Sequence, residues 1–372
     1  MRNICKILHV FGRMNRGGAE MRTLEVLKFL QKDDDVEQHF CVLSGLPGVL
    51  DNDIREVGGH LHYIPLNASF AINFMRLLRR EKFDVVHSHV QNSSGLILAI
   101  AFITKIKKRI AHFRNTNSDH HLTFMKKCQY GVMRFLIDKF ATEILAVCEG
   151  AMEEGWRTTW RKDDRCHVVY NGFESGLYKV KEHINAVFSE FHIKPECRLV
   201  FHIGRMDPVK NHRYIAEIFT ILAKRNPNLH LLLVGLGGNA IEKELISYFA
   251  RQNLLERVTF AGVREDVPRL LSAASLMIFP SLWEGLPGAV IEARIAGVPV
   301  VASNLPGVRE IASILGDITV VNLEAGIEEW ARACMRALSN PCRNEPDISG
   351  TPFDIAVCSH KFKKIWTANT CE

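Results

Sequence analysis

At 372 residues the chain is too long for one ordinary core, and it predicts two domains of α/β size. Apolar residues at 47% and charged residues at 24% are those of a soluble globular protein, and no segment reaches the ~20 apolar residues of a membrane-crossing helix. The net charge of +6 is concentrated: residues 1–170 carry 25 Lys and Arg against 19 Asp and Glu, and residues 70–140 carry 13 against 4. Such a patch suits nucleic acid, an anionic membrane surface or a phosphorylated acceptor.

In chain order, Ile4 to Val10 reads as a buried strand rather than a secretory leader, because its short apolar run enters a Gly loop. A helix follows from about Ala19 to Leu30. Strands are expected at Phe40–Leu43, Leu61–Leu66, Asp84–His89, Arg109–Arg114, Ile144–Cys148 and His167–Tyr170. Between them lie helices near Asp51–Val57, Phe74–Arg80, Gly95–Ile103 and Thr123–Phe140, with a polar loop at Asn115–His121. Residues 174–197 lack a strand pattern and read as a connection. Strand and helix then restart: strands at Leu199–Ile203, Leu231–Val234, Val258–Phe260, Ser275–Phe279 and Val298–Ser303, and helices at Tyr214–Ala223, after Gly238, at Ala289–Ala296 and at Trp330–Ala337. Phe353 to Ala368 looks helical. This alternation implies parallel, doubly wound sheets in domains 1–173 and 198–352, with 353–372 as a terminal helix.

Ten cysteines are scattered with no Cys-x-x-Cys pair and no His at finger spacing. Neither a zinc site nor a disulfide framework is expected, and reduced thiols of a cytoplasmic protein are. Asp33-Asp34-Asp35 reads as a charged loop, not as a metal motif.

The most informative stretch runs from Phe279 to Ala293. A buried strand stops at Pro280, Glu284-Gly285-Leu286-Pro287-Gly288 forms a turn, and a helix begins. Unpaired backbone N–H groups at such a terminus meet anions or hydroxyls. Glu284 and Glu292 bracket it, and a carboxylate accepts hydrogen bonds from neighbouring hydroxyls of a sugar or ribose. A second strand-loop-helix, Gly204-Arg205-Met206-Asp207-Pro208-Val209-Lys210-Asn211, carries two cations suited to phosphate.

The Glu-x7-Glu pair within Glu-Gly-Leu-Pro, followed by Ala296-Gly297-Val298-Pro299-Val300, resembles the donor site of glycosyltransferase family 4, the retaining GT-B enzymes that use nucleotide sugars. Gly204-Arg205 with Lys210 is similar to the family's Gly-Arg-x4-Lys. The resemblance implies a GT-B fold of two Rossmann-like domains facing a cleft, with the terminal helix crossing back onto the first. It implies that Arg205 and Lys210 hold the donor diphosphate, Glu292 the ribose and Glu284 the donor sugar, aided by the loop of Gly285, Leu286, Pro287 and Gly288. Pro287 contributes only its place in the turn, since it has no N–H. Gly17 and Gly18, in Gly17-Gly18-Ala19-Glu20, would lie beside the diphosphate and acceptor, with Glu20 serving its own helix. Gly235 would border the nucleotide, Val263 its base, and His112 would contact the donor sugar; His87 and His89 are weaker candidates. With fixed cations on the leaving group, no metal or other cofactor is expected, and a UDP-sugar is favoured over a GDP-sugar.

The same resemblance implies a glycan or polyprenyl-diphosphate-linked acceptor of bacterial exopolysaccharide, O-antigen or capsule synthesis. Arg76, Arg79, Arg80, Lys105, Lys107, Lys108, Arg109, Lys126 and Lys127, with Leu77, Leu78, Ile103, Ile106, Phe124 and Met125, would place the protein on the anionic inner leaflet. Three rivals are weighed. A nicotinamide-dependent oxidoreductase would use Gly235-Leu236-Gly237-Gly238, but Ala240 replaces the last Gly, and Glu256 precedes its strand. A sugar-nucleotide epimerase would share the fold. A nucleic-acid binder would leave the two Glu and two cations unexplained, and no such partner is expected.

Overall fold

The computed structural model describes residues 4–31, 33, 35–116, 123–178, 184–339 and 344–368. The chain divides into two units, Met1–Phe173 with Ser349–Glu372, and Glu174–Ile348. The expected Asp33-Asp34-Asp35 and Asn115–His121 loops fall partly outside the described residues.

The first unit contains β1 (Cys5–Phe11), α1 (Gly18–Leu30), β2 (Val36–Val42), α2 (Asp51–Glu56), β3 (His60–Tyr63), α3 (Phe70–Glu81) and β4 (Val85–Ser88). It continues through α4 (Ser94–Ile103), β5 (Lys108–Phe113), α5 (Phe124–Phe140), β6 (Glu143–Ala146), α6 (Glu149–Gly155) and β7 (Cys166–Val168). All seven strands are parallel, in the order β3-β2-β1-β4-β5-β6-β7. Order reverses between β1 and β4, the switch point where crevices open in such sheets. The central strands β1 and β5 are buried along nearly their whole length, the polar His9, Lys108 and His112 included, because helices cover both faces.

The second unit opens with α7 (Ile184–Glu190), followed by β8 (Arg198–Ile203), α8 (His212–Arg225), β9 (Leu229–Val234), α9 (Ala240–Arg251), β10 (Val258–Gly262), α10 (Val267–Ala273) and β11 (Ala274–Phe279). It ends with α11 (Gly288–Ile295), β12 (Val300–Ser303), α12 (Pro306–Leu315), β13 (Ile318–Val321) and α13 (Ile327–Ser339). Its six parallel strands run β10-β9-β8-β11-β12-β13, with the switch between β8 and β11. Residues 174–197, expected as a connection, include α7, which packs on α10 within this unit. Seven residues with Val187 and Phe188 buried are too short to show helical periodicity.

The last helix, α14 (Ile355–Thr367), belongs to the first unit and packs on α1 and β1. Asp354 caps its start, accepting from the Ala356 N–H (2.9 Å). Trp366 and Phe362 join Cys5, Ile7, Val85 and Ile110 in one apolar cluster. Lys108 donates to the carbonyls of Ile365 and Ala368, satisfying the helix's C-terminal end.

That bond corrects the reading of the basic region. Lys108 is buried, and Arg109 is spent on the carbonyls of Phe140, Ile106 and Lys107. Leu77, Leu78 and Ile106 are core residues. Strand β5 begins at Lys108, one residue earlier than expected, and strand alternation puts Lys108 on the same face as the core residue Ile110. What remains exposed is Arg76, Arg79, Arg80, Lys105, Lys107, Lys126 and Lys127 beside Ile103, Phe124 and Met125. No helix among the described residues is long and apolar enough to cross a membrane, and the eight described cysteines are free thiols.

Candidate active site

In the second unit, the loops after β8 and β11 flank the switch point and are sewn together. The Leu282 N–H donates to the Val209 carbonyl (2.8 Å), and Asn211 Nδ2 donates to the Pro280 carbonyl (3.3 Å). The loop after β8 is rigid for local reasons. Asp207 accepts from the Val209 N–H, Pro208 starts a short 3-10 turn, and Asn211 takes the left-handed conformation at φ 56°. This sets Lys210, whose ammonium pairs with the Glu284 carboxylate and lies 5.2 Å from the Phe279 ring centre. The two side chains are 20% and 17% exposed, so the pair is shielded but reachable. Arg205, on the same loop, is exposed and makes no ion pair among the described residues.

Two glycines let these loops close up. Gly235 has φ 146°, and a Cβ there would stand 2.2 Å from the Gly204 carbonyl oxygen. A Cβ on Gly307 of α12 would stand 2.0 Å from the Gly285 carbonyl oxygen. Gly307 was not singled out from sequence, since nothing local marks a close approach 22 residues away. Gly285, Leu286 and Pro287 are buried, and Gly288 opens α11, with Glu292 half-buried on its second turn. Val263 follows β10 and is 55% exposed. Thus Arg205, Lys210, Gly235, Val263, Glu284, Gly285 to Gly288 and Glu292 share the C-terminal edge of one sheet.

Arg294, also missed, anchors the far end of α11. It is fully buried and donates to the carbonyls of Gly316 (2.8 Å), Val298 (3.0 Å) and Asn344 (3.0 Å) and to Asp317 (3.0 Å). The Gly235–Gly238 loop has its own occupant: the Glu242 carboxylate accepts the Gly238 N–H. A dinucleotide pyrophosphate needs that amide, so the oxidoreductase reading loses its site.

In the first unit, Gly17 and Gly18 lie at the start of α1, with the Glu20 carboxylate folded over Gly17. His112 on β5 is buried, not an open strand end, and it has company. His87 Nε2 lies 3.1 Å from His112 Nδ1, and His9 Nδ1 lies 3.1 Å from His89 Nε2. His9 Nε2 meets Gln38 Oε1 at 3.0 Å, and Arg114 donates to His89 Nδ1 at 3.1–3.2 Å. Burial is the main cause that holds the His9 imidazole down to about 3 and those of His87, His89 and His112 well below the usual range. Burial also pulls Arg114 to about 10, which leaves it cationic at neutral pH.

Two trios in this unit have metal-ligand character, His9 with His87 and His89, and Glu37 with His39 and His60. Both are already committed. Arg114 donates to His89 in the first, and in the second Lys6 Nζ stands 3.3 Å from the Glu37 oxygen that also meets His39.

Parallel sheets with a paired cation and carboxylate at a switch point suit a phosphate-linked, hydroxyl-bearing ligand. Comparison with known proteins makes this particular. Residues 197–340 match the family described as Glycosyl transferases group 1, and residues 16–175 match Glycosyltransferase Family 4. The capsular polysaccharide biosynthesis glycosyltransferase CapH of Staphylococcus aureus is 31% identical over 369 residues, 98% of this chain and 99% of that one. The UDP-Gal:alpha-D-GlcNAc-diphosphoundecaprenol alpha-1,3-galactosyltransferase of Escherichia coli is 25% identical over 390 residues, 97% and 96% of the two chains. Among solved structures, Anabaena Alr3699/HepE in complex with UDP-glucose has a TM-score of 0.80 at 20% identity, covering 96% and 98%. The chain belongs to glycosyltransferase family 4 and has the GT-B fold: it is a glycosyltransferase.

Proposed function

We propose that this glycosyltransferase moves a hexose, with retention at the anomeric carbon, from a UDP-sugar to a lipid-linked glycan in capsule or exopolysaccharide synthesis. The observation that carries the reading is the Lys210–Glu284 pair, held across the switch point beside Arg205 and the start of α11. Arg205 and Lys210 take the donor diphosphate, Glu292 the ribose hydroxyls and Glu284 the sugar hydroxyls, with Gly285 to Gly288 shaping the loop. Gly235 and Val263 border the nucleoside. Gly17 and Gly18 serve the diphosphate or acceptor, and His112 donates to the sugar. The names of the Escherichia coli relative and of the Anabaena complex support UDP and a diphospholipid acceptor.

The reaction needs little else. As the C1–O bond to phosphate breaks, negative charge grows on the leaving diphosphate, and fixed cations and amides stabilise it without reorganising. The acceptor oxygen bonds C1 from the same face, and its proton passes to the leaving phosphate oxygen. Two cations at the leaving group supply the charge that a divalent metal supplies elsewhere, so transfer proceeds without a metal or other cofactor.

Helix α5 supports a place at the cytoplasmic face of the membrane. Only Ile137 is buried on it, and Phe124, Met125, Val132 and Phe135 are 80%, 81%, 55% and 66% exposed beside Lys126 and Lys127. Apolar side chains flanked by cations suit an anionic leaflet.

Thermal stabilisation by UDP, GDP, ADP and NAD, with and without a chelator, tests the reading. A nucleotide at a hundred times its Kd adds about 2.7 kcal/mol. UDP protection that survives the chelator and weakens in Glu292→Gln is expected; protection by NAD alone overturns the transferase site.

A further inference from the structure

The four buried histidines of the first unit form two hydrogen-bonded chains, and each chain begins at a side chain that can only donate. Arg114 donates to His89 Nδ1. A neutral imidazole carries one N–H, so His89 must carry it on Nε2, which donates to His9 Nδ1 (3.1 Å). His9 then holds its proton on Nε2 and donates to Gln38 Oε1 (3.0 Å), where the chain closes.

The second chain begins at the indole of Trp366, on the returning helix α14. Its Nε1–H donates to His87 Nδ1 (3.2 Å), which places the His87 proton on Nε2. That proton is given to His112 Nδ1 (3.1 Å), which places the His112 proton on Nε2. Here the chain is open: His112 Nε2 is buried and has no partner among the described residues. Buried imidazoles deep in an apolar sheet stay neutral, so neither chain can be rescued by a second proton. A buried donor left unpaired is costly, and it calls for a partner that arrives from outside.

We propose that Trp366 and His87 are positioning residues that hold His112 as its Nε2–H tautomer, so that it donates to a hydroxyl of the donor sugar. This rests on the reading of His112 given above. It also gives the returning helix a role beyond packing, since residues 279 apart in sequence set one proton.

Long-range proton–nitrogen spectra of the full chain, labelled with 15N-histidine, test it. Wild type should show His87 and His112 with protonated Nε2 and bare Nδ1. Trp366→Phe keeps a ring against Phe362 but removes the donor, and His112 should then populate the Nδ1–H form. UDP release from UDP-glucose or UDP-galactose should fall in kcat by up to roughly a hundredfold to thousandfold, the loss expected for one fixed donor, while the Kd for UDP stays unchanged. His112 or His87 as Nδ1–H in wild type overturns the proposal even if the variant does not fold, as does an unchanged His112 in a folded variant. In wild type, UDP-glucose or UDP-galactose should shift His112 Nε2 and UDP alone should not. If the tautomers are as expected but neither sugar nucleotide shifts it, the sugar contact fails and the transferase reading stands. If UDP does not bind wild type at all, it is the reading of the second unit that fails.

Discussion

The Lys210–Glu284 pair yields a prediction whose sign separates two roles. A donor diphosphate must take Lys210 from Glu284, because the ammonium is already engaged. Lys210→Met removes a charged hydrogen bond worth about 1.5–3 kcal/mol, so UDP should bind roughly 10- to 150-fold more weakly. Glu284→Gln acts the other way. With both side chains about one-fifth exposed, the pair itself is worth about 0.5–1 kcal/mol after screening, and removing the competitor should tighten UDP roughly two- to fivefold. UDP-glucose gains the same release but loses its carboxylate acceptor, so its advantage over UDP should shrink by about tenfold. Calorimetric titration of both ligands into both variants, at one ionic strength, reads all four values. If Glu284→Gln weakens UDP as much as Lys210→Met does, Glu284 acts by holding the loop and the argument fails.

Arg294→Leu should destabilise the second unit by about 3–5 kcal/mol, because three carbonyls lose a buried donor; Asp317, 48% exposed, contributes little. A urea midpoint within about 1 kcal/mol of wild type would remove Arg294 as the anchor of α11. Acid should weaken the first unit early. His9, His87, His89 and His112 are held neutral by burial, with His9 down to about 3, so the unfolded chain binds more protons below its own value near 6.5. Their stabilising contribution is present above about pH 6.5 and lost as pH falls, about 1 kcal/mol each between pH 7 and 5.5; a flat urea midpoint over that range refutes it. Phe124→Asp with Phe135→Asp should cut sedimentation with phosphatidylglycerol vesicles at least tenfold, since each ring contributes about 1.5–3 kcal/mol when buried. Both rings are solvent-exposed, so the fold should survive, and unchanged sedimentation refutes the membrane face.

Much of the architecture was legible because it is local. Buried parallel strands carry apolar runs such as Leu231–Val234, and Gly or Pro at their ends marks the loops that carry Lys210 and Glu284. Several short elements were not legible, although the six-residue α2 was, and the ten-residue α12 was missed as well. Helices α6, α7 and α10 have seven residues each, under two clear periods, and β13 has four. The basic stretch was over-read, since composition does not tell that Lys108 points at the end of α14 or that Leu77 points inward.

The sequence by itself determined two doubly wound sheets, their Gly-rich strand ends and a Glu-x7-Glu pair spanning a loop and the helix after it, all products of local spacing. Only the tertiary structure decided which polar groups meet. Gly307 against Gly285, Arg294 against Asn344 and Trp366 against His87 are contacts between separate elements. A histidine's tautomer is set by whichever donor the sheet register brings to its ring, and no window of sequence contains that neighbour.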